Sequence, residues 1–270
     1  MPELPEVETL KRELVVIIGK KFQTASIFSR ELKNKKIISV ERRAKILIIS
    51  LDNSEKLLVH LKMTGQLIYQ PKKGKMIIGG HPEKNPFKYT RAEFLFTDNS
   101  KLYFNDLRKF GWIKLLNKTE SEKLLNKHGV EPLSKLFTFQ TFQNLLQKYP
   151  NRKLKQFLLD QSLIAGLGNI YVDESCFLAK ILPTRIVKSL TKPEQKLLHT
   201  SIIKILKLSI SKKGTSAKNY VRSDGTKGGF VPYLNVYGRK NEKCKRCKTG
   251  VITKIKFGGR GTHFCNKCQK

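Results

Sequence analysis

Met1-Pro2-Glu3-Leu4-Pro5-Glu6-Val7-Glu8-Thr9 opens the chain, and the reading of everything downstream turns on it. Removal of Met1 leaves Pro2 with a secondary amine beside the Glu3 carboxylate. An amine can attack a carbonyl-like carbon and form a covalent intermediate. The adduct of a proline amine is an iminium with no N–H proton to lose, so its positive charge persists and draws electrons. Glu3 stands where it can move protons. The plain alternative is that Pro2 and Pro5 only start a helix, because proline suits a first helical turn. Val7, Leu10, Leu14 and Ile17 recur at spacings of three and four, which predicts a helix over residues 5–18 with Gly19 as its stop.

Working outward, short runs of Ile, Leu, Val and aromatic residues follow at 45–51, 56–61, 66–69, 92–97, 101–104 and 111–116. Asp52-Asn53-Ser54 and Asp98-Asn99-Ser100 punctuate them, so they predict an antiparallel β-sandwich. Residues 71–91 are rich in Lys, Gly and Pro and predict a mobile loop. Gly129-Val130-Glu131-Pro132-Leu133-Ser134 reads as an interdomain linker. Helical periodicity then covers 139–148, 154–160, 168–180 and 193–211, before a glycine-marked loop at 212–235. The expected class is α+β: a helix and β-sandwich over 1–128, a linker over 129–134, a helical domain over 135–240 and a small metal module over 241–270. No internal repeat is found.

The chain has 270 residues, 54 Lys plus Arg against 21 Asp plus Glu, and a formal net charge of +33. The excess is spread along the chain, so a folded polycation with a polyanionic partner is expected. Nucleic acid is the first candidate and an acidic membrane surface the second. Lysine drift in a chain also rich in Asn and Ile accounts for part of the excess. No apolar run approaches the roughly 20 residues of a membrane span. The N-terminus lacks the pattern of a signal peptide. A soluble cytoplasmic protein is the expectation.

Of five cysteines, four fall in two knuckles, Cys244-x-x-Cys247 and Cys265-x-x-Cys268, with residues 248–264 between. This is the spacing of a zinc-binding β-hairpin, favoured over disulfides in a reducing compartment. Four thiolates leave no open position, so one structural Zn2+ is expected. Between the knuckles, Gly258-Gly259-Arg260-Gly261-Thr262 forms a hairpin tip that can press an Arg against a phosphate; an ordinary solvated turn is the alternative. Gly166-Leu167-Gly168-Asn169-Ile170-Tyr171 makes a poor dinucleotide fingerprint, because no strand leads in and Tyr171 replaces the third Gly. It reads better as a tight turn aiming helix N–H groups and Asn169 at a phosphate, or as a plain helix–helix turn. Arg42-Arg43-Ala44-Lys45 can bind phosphates or end a strand in solvent. His60-Leu61-Lys62-Met63-Thr64-Gly65 and Asp106-Leu107-Arg108-Lys109-Phe110-Gly111 offer either core packing or wedges for a base stack.

Taken together, these motifs resemble the formamidopyrimidine-DNA glycosylase branch of the Fpg/Nei family, over essentially the whole chain and in order. Val236-Tyr237-Gly238-Arg239-Lys240 and Asp160-Gln161 add to the resemblance, and Leu4 favours this branch over the endonuclease VIII branch. The resemblance implies a helical domain with a helix–two-turn–helix motif, and DNA lying in a positive cleft between the domains. It implies excision of oxidised purines, 8-oxoguanine and formamidopyrimidines, followed by β,δ-elimination. Pro2, Glu3, Lys45 and Arg260 would form the catalytic set, with Pro2 the nucleophile, Glu3 the proton shuttle and Glu6 supporting proton handling near the base. The base would be flipped out of the duplex, with Met63, Arg108 and Phe110 filling the void. Lys45, His60, Asn169, Tyr237 and Arg260 would hold phosphates, Lys155 would lie near the lesion, and residues 215–224 would cover the flipped base. The implied partner is double-stranded DNA with oxidised bases or abasic sites, bound by a monomer at the nucleoid.

Four departures stand out. The stretch before Lys45 is short, so a strand or loop of the sandwich is expected to be missing. Lys62 replaces a common Gly, Tyr89 stands where His is frequent, and Ala217 makes the lid unusual. Two rival readings remain: an endonuclease VIII-type enzyme for oxidised pyrimidines, and a non-catalytic zinc-finger DNA-binding protein. A ribosome-associated protein would also suit the charge, but it would leave the wedge residues without a role.

Overall fold

The computed structural model describes residues 1–73, 77–78, 81–82, 86–217 and 219–270. Part of the loop expected at 71–91, and Lys218 of the expected lid, lie outside the described residues. The chain divides into two compact units, 1–126 with 210–231, and 127–209 with 232–270. The segment 210–231, expected with the helical domain, thus packs with the first unit.

In the first unit, α1 (Leu4–Glu13) begins at a reciprocal capping box, Glu3 and Glu6 each accepting the other's backbone N–H, with Pro5 in the first turn. The helix ends earlier than its apolar spacing predicts and tightens into a 3-10 turn over Leu14–Ile17. The β-branched run Val15-Val16-Ile17-Ile18 explains this, since such side chains crowd the preceding helical turn. Gly19, at φ +87, closes the segment.

The short stretch before Lys45 still carries β1 (Phe22–Ala25), a one-turn α2 (Ser29–Leu32) and β2 (Ile37–Arg43). Further strands follow in this unit: β3 (Ile46–Leu51), β4 (Lys56–His60), β5 (Gly65–Gln70), β6 (Ile77–Ile78), β7 (His81–Pro82), β8 (Thr90–Phe96), β9 (Lys101–Asp106) and β10 (Trp112–Leu116). Apart from the short β6–β7 pair, they form two antiparallel four-stranded sheets, ordered β1-β8-β9-β5 and β10-β4-β3-β2. Phe22, Phe94, Phe96 and Phe104 of one sheet share a core with Val40, Leu47, Ile49 and Val59 of the other and with Val7, Leu10 and Leu14 of the N-terminal segment. β3 is buried on both faces because Ile46, Ile48 and Leu58 form a second cluster with Leu124 and Leu125 of α3 (Lys118–Leu125).

The second unit holds α4 (Phe139–Lys148), α5 (Leu154–Leu159), two turns, α6 (Asn169–Leu178) and α7 (Lys192–Ser211), whose end belongs to the first unit. Residues 129–134 do not run free: Gly129 N donates to Gln161 O, and Val130 bridges Ile164. A Cβ on Gly129 would lie 2.2 Å from the Leu163 carbonyl oxygen, which explains the glycine. β11 (Ile252–Phe257) and β12 (Arg260–Cys265) form the C-terminal hairpin. No helix among the described residues is long and apolar enough to cross a membrane.

Candidate active site and nucleic-acid interface

Pro2 is buried at the mouth of α1, and Glu3 and Glu6 are 2% and 1% exposed. Both Glu6 oxygens are engaged by backbone N–H groups: Oε2 accepts from Glu3 N at 2.8 Å and Oε1 from Thr215 N at 2.8 Å. Glu6 therefore ties the first helical turn to the start of the 215–224 loop. Gly214, at φ +82, permits this approach, because a Cβ there would sit 3.1 Å from the Glu6 side chain. Burial, then the Glu6 and Glu13 carboxylates, push the Tyr220 hydroxyl well above its ordinary pKa, so it stays a neutral donor. Further along, Glu13 accepts from Arg222 Nε at 2.6 Å and from Ser223 N and Oγ at 3.0 Å.

α1 packs on β2 and β3. Lys45 lies in the turn between those strands, not within a strand, and is buried. Ile46 stands directly opposite His60, so Lys45 and His60 share one end of the sheet. His60 Nδ1 accepts the Lys62 backbone N–H at 3.0 Å. A neutral imidazole then carries its proton on Nε2. Glu8 anchors the region: burial pushes its carboxyl up, but hydrogen bonds from Arg12 and Arg42 outweigh this and hold it below the ordinary value.

Met63, Arg108 and Phe110 come from two loops that Asp106 joins. Fully buried Asp106 accepts from Thr64 Oγ1, from Arg108 N at 3.2 Å and from Gly111 N at 2.6 Å. Gly65 faces Asp106 across the β5–β9 ladder, which fixes the two loops in register. Met63 and Phe110 are exposed, and the Arg108 guanidinium lies 4.7 Å from the Phe110 ring centre. These side chains therefore lie at the surface and are not core packing.

In the second unit, Lys155 is 1% exposed and its ammonium is taken by Asp173 at 2.6 Å and the Gly261 carbonyl at 3.1 Å. It supports the hairpin tip from inside and is not exposed at the surface. Asn169 Nδ2 donates to the same carbonyl at 2.9 Å, which occupies one of its two N–H groups. Asp173 also accepts from His263 N at 2.9 Å, and His263 packs against Tyr237 at 4.9 Å between ring centres. Arg260 is exposed at the tip, after Gly258 and Gly259 with positive φ. Fully buried Glu174 collects N–H bonds from Asn235, Val236 and Tyr237 at 2.9–3.0 Å, which orders the loop bearing Tyr237. Burial raises its carboxyl, and those donors pull the other way. Asp106, Asp173 and Glu174 escaped the sequence reading as anchors. The one available signal was an Asp-Glu pair inside the apolar run Ile170–Phe177.

The four C-terminal sulfurs lie within 4.8 Å of one another. Cys244–Cys268 and Cys247–Cys265 are each separated by 3.7 Å, close to the ~3.8 Å edge of a tetrahedron with Zn–S near 2.3 Å. A Cβ on Gly250 would come within 2.6 Å of Cys265 Sγ, so the cradle is shaped around the sulfurs. Burial raises the Cys247 thiol, but the Gly250 N–H and neighbouring thiols outweigh it and set it at about 6. The residues present fit one structural zinc.

Buried carboxylates at an N-terminal proline, a loop pair with exposed Met63, Arg108 and Phe110, a lysine–histidine sheet end, and a four-cysteine basic hairpin suit a DNA-processing enzyme. Family models agree. The formamidopyrimidine-DNA glycosylase N-terminal domain matches residues 1–113, the formamidopyrimidine-DNA glycosylase H2TH domain 128–220, and the zinc finger found in FPG and IleRS 241–270. Formamidopyrimidine-DNA glycosylases of Cytobacillus firmus and Halalkalibacterium halodurans are each 41% identical, with 100% of both chains covered. A Lactococcus lactis FPG mutant in complex with Fapy-dG containing DNA is 37% identical, with a TM-score of 0.86 and 100% of both chains covered. MutM (FPG) from Thermus thermophilus is 33% identical, with a TM-score of 0.86, covering 99% of this chain and 98% of that one. The chain belongs to the formamidopyrimidine-DNA glycosylase family.

Proposed function

We propose that the chain excises oxidised purines from duplex DNA and then cuts the abasic strand, with Pro2 as the nucleophile. The observation that carries this reading is the buried first turn of α1, where Pro2 adjoins two carboxylates that are 2% and 1% exposed. Met1 precedes it and is 37% exposed; its removal frees the Pro2 nitrogen. The neutral amine attacks C1′ of the flipped nucleotide, the C1′–N bond breaks, and the base leaves with its electron pair and a proton. Glu3 protonates the ring oxygen, so the sugar opens as an iminium. The iminium acidifies the C2′ proton; its loss expels the 3′ phosphate, and a second elimination expels the 5′ phosphate. A free α-amine titrates at about 8, and burial favours the neutral form of an amine.

Lys45, His60, Asn169, Tyr237 and Arg260 serve as phosphate holders, and Met63, Arg108 and Phe110 occupy the space the base vacates. Each part of the reaction is carried by one chain, which suits a monomer acting on chromosomal DNA in the cytoplasm. Pro2→Gly should lower base excision by at least ~100-fold while affinity for a duplex with a tetrahydrofuran abasic analogue stays within about threefold. Unchanged single-turnover excision would remove Pro2 from the nucleophile role.

A further inference from the structure

We propose that Glu8 and Arg42 form a positioning relay that sets Lys45, so that α1 fixes where this cation meets the DNA backbone. The proposal rests on the reading of Lys45 as a phosphate holder. Both side chains are nearly out of solvent, Glu8 11% and Arg42 8% exposed. Glu8 Oε2 accepts from Arg42 Nε at 3.0 Å. The other oxygen accepts from Arg12 Nε at 2.9 Å, with Lys11 Nζ at 3.5 Å. The same Arg42 guanidinium reaches forward and donates from Nη1 to the Ala44 carbonyl at 2.9 Å.

Ala44 is the residue that needs holding. Arg43 pairs with Ile46, so Ala44 and Lys45 are the whole connection between β2 and β3. Ala44 sits at φ +54, a left-handed conformation that a residue with a Cβ rarely adopts. The guanidinium, itself clamped by Glu8, fixes the carbonyl that leads into Lys45. A planar fork can serve a carboxylate and a carbonyl together; a lysine ammonium at position 42 cannot reproduce that geometry. If Glu8 only balanced surface cations, Arg42 would need neither its burial nor its second bond. The relay runs from α1 through Glu8, Arg42 and Ala44 to Lys45, at the sheet end shared with His60.

The test is a double-mutant cycle on the full chain, reading affinity for a tetrahydrofuran-containing duplex at fixed salt, with thermal melts alongside. Glu8→Gln should weaken binding about tenfold when Lys45 is present and less than about twofold in a Lys45→Ala background. Arg42→Lys should show the same dependence on Lys45, and it carries the cycle if Glu8→Gln fails to fold. The salt dependence of log affinity should also flatten by about 0.9 in Glu8→Gln, as for one lost phosphate contact. Equal losses in both backgrounds, or no loss with Lys45 present, overturn the relay. Borohydride trapping of the unsubstituted protein is run in parallel. A missing adduct there counts against the proposed reaction, whereas a trapped adduct with an additive cycle counts against the relay alone.

Discussion

At the scale of single residues, Lys62 shows what a side chain costs at a left-handed backbone position. It occupies φ +48 immediately before Met63, where a side chain is disfavoured by about 1–2 kcal/mol. Lys62→Gly relieves that strain but gives the unfolded chain more freedom, a cost of about 0.5–1 kcal/mol. The expected net is a gain of up to about 1.5 kcal/mol in urea unfolding; a clear loss would show that the lysine side chain makes a compensating contact. The four cysteines were legible in the sequence because metal ligation depends on residue type and spacing; Pro2, Glu3 and Lys45 were singled out there by motif and resemblance, and their roles belong to the proposal. Asp106, Asp173 and Glu174 were not legible, since their partners are backbone N–H groups and side chains far along the chain. In a sequence, a carboxylate buried under such donors looks the same as a solvated one. Lys155 was found by resemblance, yet only the structure gives its partners, Asp173 and the Gly261 carbonyl.

Elements carry the next layer. The Met63 loop and the Arg108–Phe110 loop hold together through one carboxylate, because both Asp106 oxygens accept hydrogen bonds. Asp106→Asn leaves one of those buried donors facing an NH2 group, a loss of about 1–3 kcal/mol. Excision from duplex DNA should fall, while abasic-site cleavage in a single strand, which leaves no void to fill, should change less. Equal losses on both substrates would contradict the wedge assignment. Six strands were legible from their apolar runs. β1 and β2 were not: β2 mixes Ile38, Glu41, Arg42 and Arg43 and carries a register shift between Ile37 and Ser39, which breaks its alternation. α3 was hidden by its charge, since only Leu124 and Leu125 join the covering cluster. The first helix was over-extended because spacing records which residues are buried, and a 3-10 turn can bury the same face.

For the whole molecule, a net charge of +33 and a thiolate-held hairpin make two separable contributions to binding. Log affinity should fall linearly with log salt, with a slope near −0.9 for each phosphate neutralised; a flat response would exclude phosphate clamping. Cys247→Ser, or zinc removal by a chelator, should release the tip bearing Arg260 and weaken DNA binding by about tenfold or more. Unchanged affinity with the metal gone would contradict a structural role for the hairpin in binding. The most direct measurement is borohydride trapping on an 8-oxoguanine:cytosine duplex, with a thymine-glycol duplex in parallel and the adduct mapped by peptide mass. A covalent adduct at Pro2, in a chain lacking Met1, is expected on the 8-oxoguanine duplex. An adduct only with thymine glycol would place the activity on oxidised pyrimidines, and tight binding without any adduct would contradict the proline nucleophile altogether.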